Sequence, residues 1–282
     1  MSPLALHASP EEALLPEARP AFADLKASEL VHRWAMHRRS SQAFALNLFA
    51  PLDDEQRRAA LALVGLDVSS EVTIDFEHSD PEDRLGETGP KSRHRTQVDV
   101  VLRGTSPEGE RMVALIEVKF TETDFGHCSA YENPANDRRD VCGSAGLFGG
   151  QPGACFQLAD HGNGRRLYHD HLAGIPVEQP SGPQDSGGCL VRESLSQPMR
   201  SLALAHLALA AKEADRVAYV LCAPASHPTI WRRFAELQAA FPDPQGRTIR
   251  ALTAEQVAGL HPDGGTGIAA LYPFDEFHWP AP

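Results

Sequence analysis

The sequence predicts one α/β domain built on a mixed central β-sheet flanked by helices. Three observations predict it. Apolar residues at helical spacing alternate along the chain with short apolar runs of strand length. The order is helices, a block of three strands, a helix, a strand, then helices with one further strand. The best strands also carry charge where a buried strand should be apolar: Asp99 in "TQVDVVL", and Glu117 and Lys119 in "MVALIEVKF".

Residues 1 to about 24 read as a loosely docked N-terminal arm, with Pro and Ala but no clear period. The domain is expected over 25–282. "DLKASELVHRWAMHRRSSQAFALNLFAPL" predicts helix, broken near Arg39 to Ser41, with Leu30, Val31 and Trp34 on one face. Phe44, Leu48 and Phe49 continue that face, and Pro51 ends it. "DDEQRRAALALVGL" is a short helix with acids at its start and Gly65 at its end, the favourable polarity. "EVTIDFE" alternates Val72, Ile74 and Phe76 with polar residues, as a strand does. A polar loop leads to the two charged strands. From Thr121 to about Gly188 the pattern dissolves into a loop rich in Gly, Asp, His and Cys. A loop that long in a compact domain is expected to be functional or metal-stabilised. Order returns with a helix from about Pro198, whose apolar side holds Leu202, Leu204, Ala205 and Leu209. "RVAYVLCAP" is a buried strand, "TIWRRFAELQAAF" an amphipathic helix, and "RTIRALTAEQVAGL" a strand and helix. A short helix is expected near Ile268–Phe277.

Bulk properties set limits. The 282 residues can bury a core without staples. No apolar run reaches the roughly 18 residues of a membrane span, so no membrane partner is expected. Five cysteines without a leader-like N-terminus point to a reducing, cytoplasmic compartment. The net charge of −12 does not advertise a nucleic-acid binder, although a local basic cleft can sit on an acidic protein.

The charged strands carry the functional argument. Residues i and i+2 of a strand share a face, so Glu117 and Lys119 stand together above Val113 and Leu115. Ala114, Ile116, Val118 and Phe120 fill the other face. A Glu–Lys pair at an exposed strand end is common and worth little. Asp99 changes the balance. If the two strands pair through the turn at Gly104–Gly109, Asp99 comes near Glu117. Two close carboxylates repel unless a cation lies between them. An oxygen-only pair with open positions suits Mg²⁺ or Mn²⁺. A lysine beside such an ion can orient or deprotonate a water, or steady developing negative charge. The set points to metal-assisted hydrolysis of a phosphodiester.

"VD" followed by "EVK" on adjacent strands, after a helix and a first strand, resembles the core of the PD-(D/E)XK nuclease superfamily. The phrases "SSQAFALNLFAPL", "LGE", "RTQVDVVL", "IEVKFTETDFGHC" and "QPMRSLALAH" resemble bacterial restriction endonuclease-like proteins. The resemblance runs from about Ser40 to Pro224. It implies a restriction-endonuclease-like core with a Cys-rich loop insertion at about 121–189. It implies that Asp99 and Glu117 bind Mg²⁺ or Mn²⁺, with the main-chain carbonyl of Val118 as a further ligand. Lys119 would serve the attacking water, and DNA would be the substrate. Val98 stands where the family often has Pro. Gln197 falls where many such nucleases place a glutamine near the metal, and is equally a polar residue ahead of Pro198 at a helix start. Arg200 is either a phosphate contact or a surface charge; Gln42 and Glu87 either line the cleft or serve as cap and turn residues. A homodimer is compatible with the resemblance. The alternative is a catalytically silent nuclease-fold module that binds nucleic acid or a partner.

Cys128, Cys142, Cys155 and Cys189 all fall in the loop region. They either share a Zn²⁺ or an iron–sulfur cluster, or are scattered thiols; no CxxC pair is present. Cys222, in a strand, reads as core. His169 and His171 in "LYHDHL" share a face if that segment is extended, and His127 beside Cys128 is a substitute ligand. Arg38 and Arg39 in "HRWAMHRR" form the best local basic patch for phosphates, or a solvated helix face.

Overall fold

The structure is a computed structural model that describes residues 9–37, 39–88, 95–134, 136–140, 155–156, 166–172, 190–193, 195–241 and 247–274. Its helices are α1 (Pro10–Ala13), α2 (Arg19–Ala27), α3 (Ser41–Phe49), α4 (Asp54–Leu63), α5 (Ser129–Glu132), α6 (Tyr168–Leu172), α7 (Leu190–Glu193), α8 (Ser196–Ala210), α9 (Pro228–Ala240), α10 (Ala254–Ala258) and α11 (Thr266–Leu271). The strands are β1 (Thr73–His78), β2 (Val98–Thr105), β3 (Arg111–Val118), β4 (Arg216–Ala223) and β5 (Arg247–Thr253).

The five strands form one sheet in sequence order. β1, β2 and β3 pair antiparallel; β3, β4 and β5 pair parallel. The α/β class and the mixed sheet are those the sequence predicts. The chemistry of the connections explains the change of direction. Gly109, at a φ of +87°, lets the chain double back between β2 and β3. β3 and β4 are joined instead through a long segment that ends in α8, the kind of crossover parallel strands require.

Each sheet face is covered. Met199, Leu202, Ala203 and Leu207 of α8, with Ile230, Phe234 and Leu237 of α9, pack on the face of Val113, Leu115 and Val217. Phe44 and Leu48 of α3, Leu61 of α4 and Val257 of α10 pack on the face of Ala114, Ile116 and Val220. α3 is capped by Ser40, whose hydroxyl accepts the Ala43 N–H. α4 opens on a reciprocal cap between Asp53 and Gln56. β3 therefore lies at the sheet centre, apolar on both faces until Glu117.

Three expectations change. Within the stretch 1–24 read as a loose arm, the described residues fold into short helices from Pro10, and Ala13, Leu14, Ala18 and Phe22, with Leu25, are buried against Ala43 and Leu46 of α3. The apolar positions are real but too closely spaced by Pro10, Pro16 and Pro20 to show a long period. The first part of the helix read from Asp24, expected to run to the break near Arg39 to Ser41, stops at Ala27, and the described residues 28–37 and 39–40 form a looped stretch before α3. Glu29 turns left-handed there, at a φ of 58°, which stops α2. Trp34 consequently does not continue the apolar face of α3 and is 50% exposed. Third, 168–172 is helical and not extended, so the condition on which the two histidines of "LYHDHL" are expected to share a face is not met. Cys222 is buried in β4 as expected, and burial pushes its thiol up. Cys128 and Cys155 are buried in the cluster that holds Phe125 and Tyr168. Cys142 and Cys189, like Arg38, lie outside the described residues. Among the described residues no helix is long and apolar enough to cross a membrane.

Candidate active site

The β1–β2 register pairs Phe76 with Val100 and His78 with Val98, which sets Glu77 opposite Asp99. The β2–β3 register pairs Val100 with Ile116, and one step further sets Asp99 beside Glu117. Three acids thus stand in a row across three adjacent strands. Directly opposed side chains in a sheet have their Cβ atoms about 5 Å apart. The row exists because the antiparallel pairing fixes register, and register fixes which side chains meet.

Asp99 Oδ2 accepts the Val118 N–H at 2.6 Å, so the carboxylate is tied to the backbone of the neighbouring strand. The Lys119 ammonium lies 2.9 Å from Glu117 Oε1 and donates to Gln197 Oε1 at 2.8 Å. Gln197 reaches it because the start of α8 is clamped to the loop after β3: the Gln197 N–H donates to the Phe125 carbonyl at 3.0 Å. Gly126 follows at a φ of +78°, where the Gln197 side chain crosses its open face. Gln197 thus sits in the first turn of α8, ahead of Pro198, with its side chain against Lys119.

The electrostatics are those of crowded acid. Burial raises the Asp99 carboxyl well above its usual range, and the charges of Glu117 and Glu77 add to this against Lys119 and the Val118 N–H. Burial likewise pushes Glu77 up to about 7, against its hydrogen bond from Gln42 and with the help of Glu117. Burial alone would lower the Lys119 ammonium. The charges of Glu117, Glu122 and Asp99 outweigh it, and the net shift is upward. Burial would raise the carboxyl of the half-buried Glu122, yet the Lys119 charge, the Ser41 hydroxyl and backbone N–H groups together lower it.

A cleft of about 890 Å³ opens over this row, lined by Asp99, Glu77, Glu122 and Gln42, with Arg39 and Arg95 among its other walls. Glu117 and Lys119 lie beneath its floor, with side chains only 3% and 6% exposed. Gln42 is therefore a cleft residue: it donates to Glu77 Oε1 at 2.6 Å and to the Leu30 carbonyl at 3.0 Å. Glu87 is not. It accepts the Thr96 N–H and hydroxyl and the Tyr168 hydroxyl, bracing β2 to α6. Arg200 donates to the Ser196 carbonyl within its own helix. His127 pairs with Asp124 at 3.5 Å.

Glu77 and Glu122 are site residues the sequence reading missed. Period-two alternation makes Glu77 a solvent-facing partner of Asp75, and nothing local shows which acid it will oppose. Glu122 follows the strand by four residues, in a stretch that reads as loop.

The donor set suits a hard divalent cation. It is all oxygen, and it carries more negative charge than Lys119 neutralises. Among the described residues no three His, Cys, Asp or Glu side chains converge as a metal cage. Mg²⁺ does not need one, since it keeps several waters and takes one or two carboxylates. The Tyr219 hydroxyl, raised by burial and by Glu117 and Asp99, is buried with no hydrogen-bond partner among the described residues. A hydroxyl so placed can accept a hydrogen bond from an ion-bound water, which donates because its lone pair faces the ion.

A mixed five-strand sheet with an acid on one strand and acid-x-Lys on the next defines a restriction-endonuclease-like α/β protein. The sequence model of the family described as Restriction Endonuclease associating with ARP matches residues 6–263, and the chain belongs to that family. No curated protein and no solved structure matches the chain.

Proposed function

We propose that the protein is a metal-dependent nuclease that hydrolyses DNA phosphodiester bonds. The observation that carries this reading is the acid row of Glu77, Asp99 and Glu117, with Lys119 bridging Glu117 and Gln197, below a cleft with arginines in its walls. Asp99, Glu117 and the Val118 carbonyl would hold Mg²⁺ or Mn²⁺. That ion supplies Lewis-acid stabilisation of the phosphoryl oxygens and a more acidic water. The chain's own groups do the rest. Asp99 is fixed by the Val118 N–H. Lys119, held protonated by the surrounding acids, would act through its charge and its hydrogen bonds: it would orient the attacking water and steady negative charge developing on the phosphoryl oxygens. Gln197 positions the ammonium. Glu77, bound by Gln42, adds negative charge beside the ion site. Arg39 and Arg95 are suited to the phosphates flanking the cut. The cysteines are not needed for this chemistry.

A second reading is a catalytically silent nuclease-fold binding module. The near-complete sealing of Glu117 and Lys119 beneath the cleft floor favours it. Incubation with supercoiled plasmid, linear duplex and single-stranded DNA, in Mg²⁺, Mn²⁺ or EDTA, separates the two. Metal-dependent cutting that is lost in Asp99→Ala and in Lys119→Ala supports the nuclease. Cutting absent in wild type, or unchanged in both variants, leaves the binding module.

A further inference from the structure

The looped residues 29–34, with Arg39 and Ser40, form one wall of the cleft and carry a feature the hydrolytic reading does not use. Trp34 is 50% exposed and lines the same cleft as Asp99 and Glu77. Large aromatic rings are usually turned inward, and this one is presented to the cleft while its neighbour Ala35 is buried. The loop around it is held firmly. The Ala35 N–H bonds the His32 carbonyl at 2.8 Å, the His37 N–H bonds the Trp34 carbonyl at 2.8 Å, and the Ser40 N–H bonds the His37 carbonyl at 2.9 Å. Gln42 accepts the His32 N–H at 2.8 Å and donates to the Leu30 carbonyl at 3.0 Å. The same Gln42 amide also binds Glu77, so the tryptophan wall and the acid row share one anchor.

The surroundings of the ring select its occupant. The Arg33 guanidinium lies over the Trp34 ring, 5.2 Å from its centroid. Arg39 lines the cleft, and its Nε is buried with no hydrogen-bond partner among the described residues. Arg95 lines it as well, fixed by the carbonyls of Asp80 and Pro81. An exposed aromatic plane, with cations around it, matches a polyanion that carries flat rings. A closed duplex offers no base face to such a plane, because every base is already stacked; only an unpaired base can settle there.

We propose that Trp34, with Arg33, is a stacking platform for an unpaired base, and that the cleft takes single-stranded or locally unpaired DNA in preference to closed duplex. The net charge of −12 strengthens the argument: long-range attraction for DNA is weak, so short-range stacking must supply affinity. The location beside the acids rests on the nuclease reading, but the binding itself does not require cutting.

The test is fluorescence anisotropy of labelled oligothymidylate in EDTA, with a closed DNA hairpin duplex as competitor. Full-length wild type, Trp34→Ala and Trp34→Phe are compared. Wild type is expected to prefer the single strand. Trp34→Ala is expected to weaken single-strand binding by about tenfold and Trp34→Phe by much less. Duplex binding should be the same in all three. Equal single-strand affinity in wild type and Trp34→Ala, preference for the duplex, or no single-strand binding by wild type would each overturn the proposal. A plasmid-cutting assay in Mg²⁺ run alongside keeps the readings apart. Cutting that Lys119→Ala abolishes, with Trp34→Ala binding unaltered, removes the stacking proposal alone. Trp34-dependent binding with no cutting by wild type upholds the platform and removes the nuclease.

Discussion

β3 carries ion pairs at both ends, and they differ in kind. At its start, Arg111 forks onto Asp215 through Nε at 2.9 Å and Nη2 at 2.8 Å, and the Arg111 N–H joins at 2.8 Å. One cation meets one anion, with side chains 48% and 39% exposed. At its other end, Lys119 pairs with a sealed Glu117 and feels the charges of Glu122 and Asp99, while Asp99, Glu77 and Glu122 line the open cleft. The first cluster is balanced and structural. The second sets four acids around one lysine, and burial and mutual repulsion raise the carboxyls of Asp99 and Glu77. A fold keeps such a cluster where a further cation has a use for it.

The largest expected contrast is in catalysis. Asp99→Ala or Lys119→Ala should lower metal-dependent cutting by at least about 10²–10³-fold, by analogy with loss of one transition-state contact. Asp215→Ala should cut at the wild-type rate. Equal losses at both ends of β3 would erase the distinction. Stability comes next. Lys119→Met leaves Glu117 sealed without its cation and should cost about 3–5 kcal/mol in urea unfolding. Adding Glu117→Gln to it should recover much of that loss; no recovery would mean that packing of the lysine stem, not charge, sets the cost.

A smaller effect is expected with pH. Glu77 titrates near 7 when folded and in the ordinary carboxylate range when unfolded, so the folded state holds the extra proton between them. Stability is then greatest at the acid end of that window and is lost as pH rises through about 7. Melting temperature in EDTA should fall from about pH 5 to about pH 8, and Glu77→Gln should flatten the curve. A rise over that window would show that Glu77 is not crowded by its neighbours. The smallest effect belongs to the exposed pair: Arg111→Ala should leave the melting temperature nearly unchanged.

The sequence disclosed what local pattern controls. The strand order up to β3 and the pairing of Asp99 with Glu117 followed from alternation and one turn. So did the partnership of Glu117 with Lys119, because side chains two apart share a face. What it concealed depends on distant contacts. Glu77 becomes a site residue only through β1–β2 register. The stretch 28–37 has helix-like spacing at Leu30, Val31 and Trp34, but the left-handed Glu29 and the grip of Gln42 hold it as a loop. The sequence left Glu87 open between cleft and turn because its partners, Thr96 and Tyr168, lie far apart in sequence.

If the acids at the end of β3 form a cation site, calorimetric titration of Mn²⁺ and Mg²⁺ gives saturable binding by wild type that Asp99→Asn abolishes or weakens severely, while Asp215→Asn binds as wild type does. No binding by wild type, or equal binding by Asp99→Asn, would mean that these acids hold no cation.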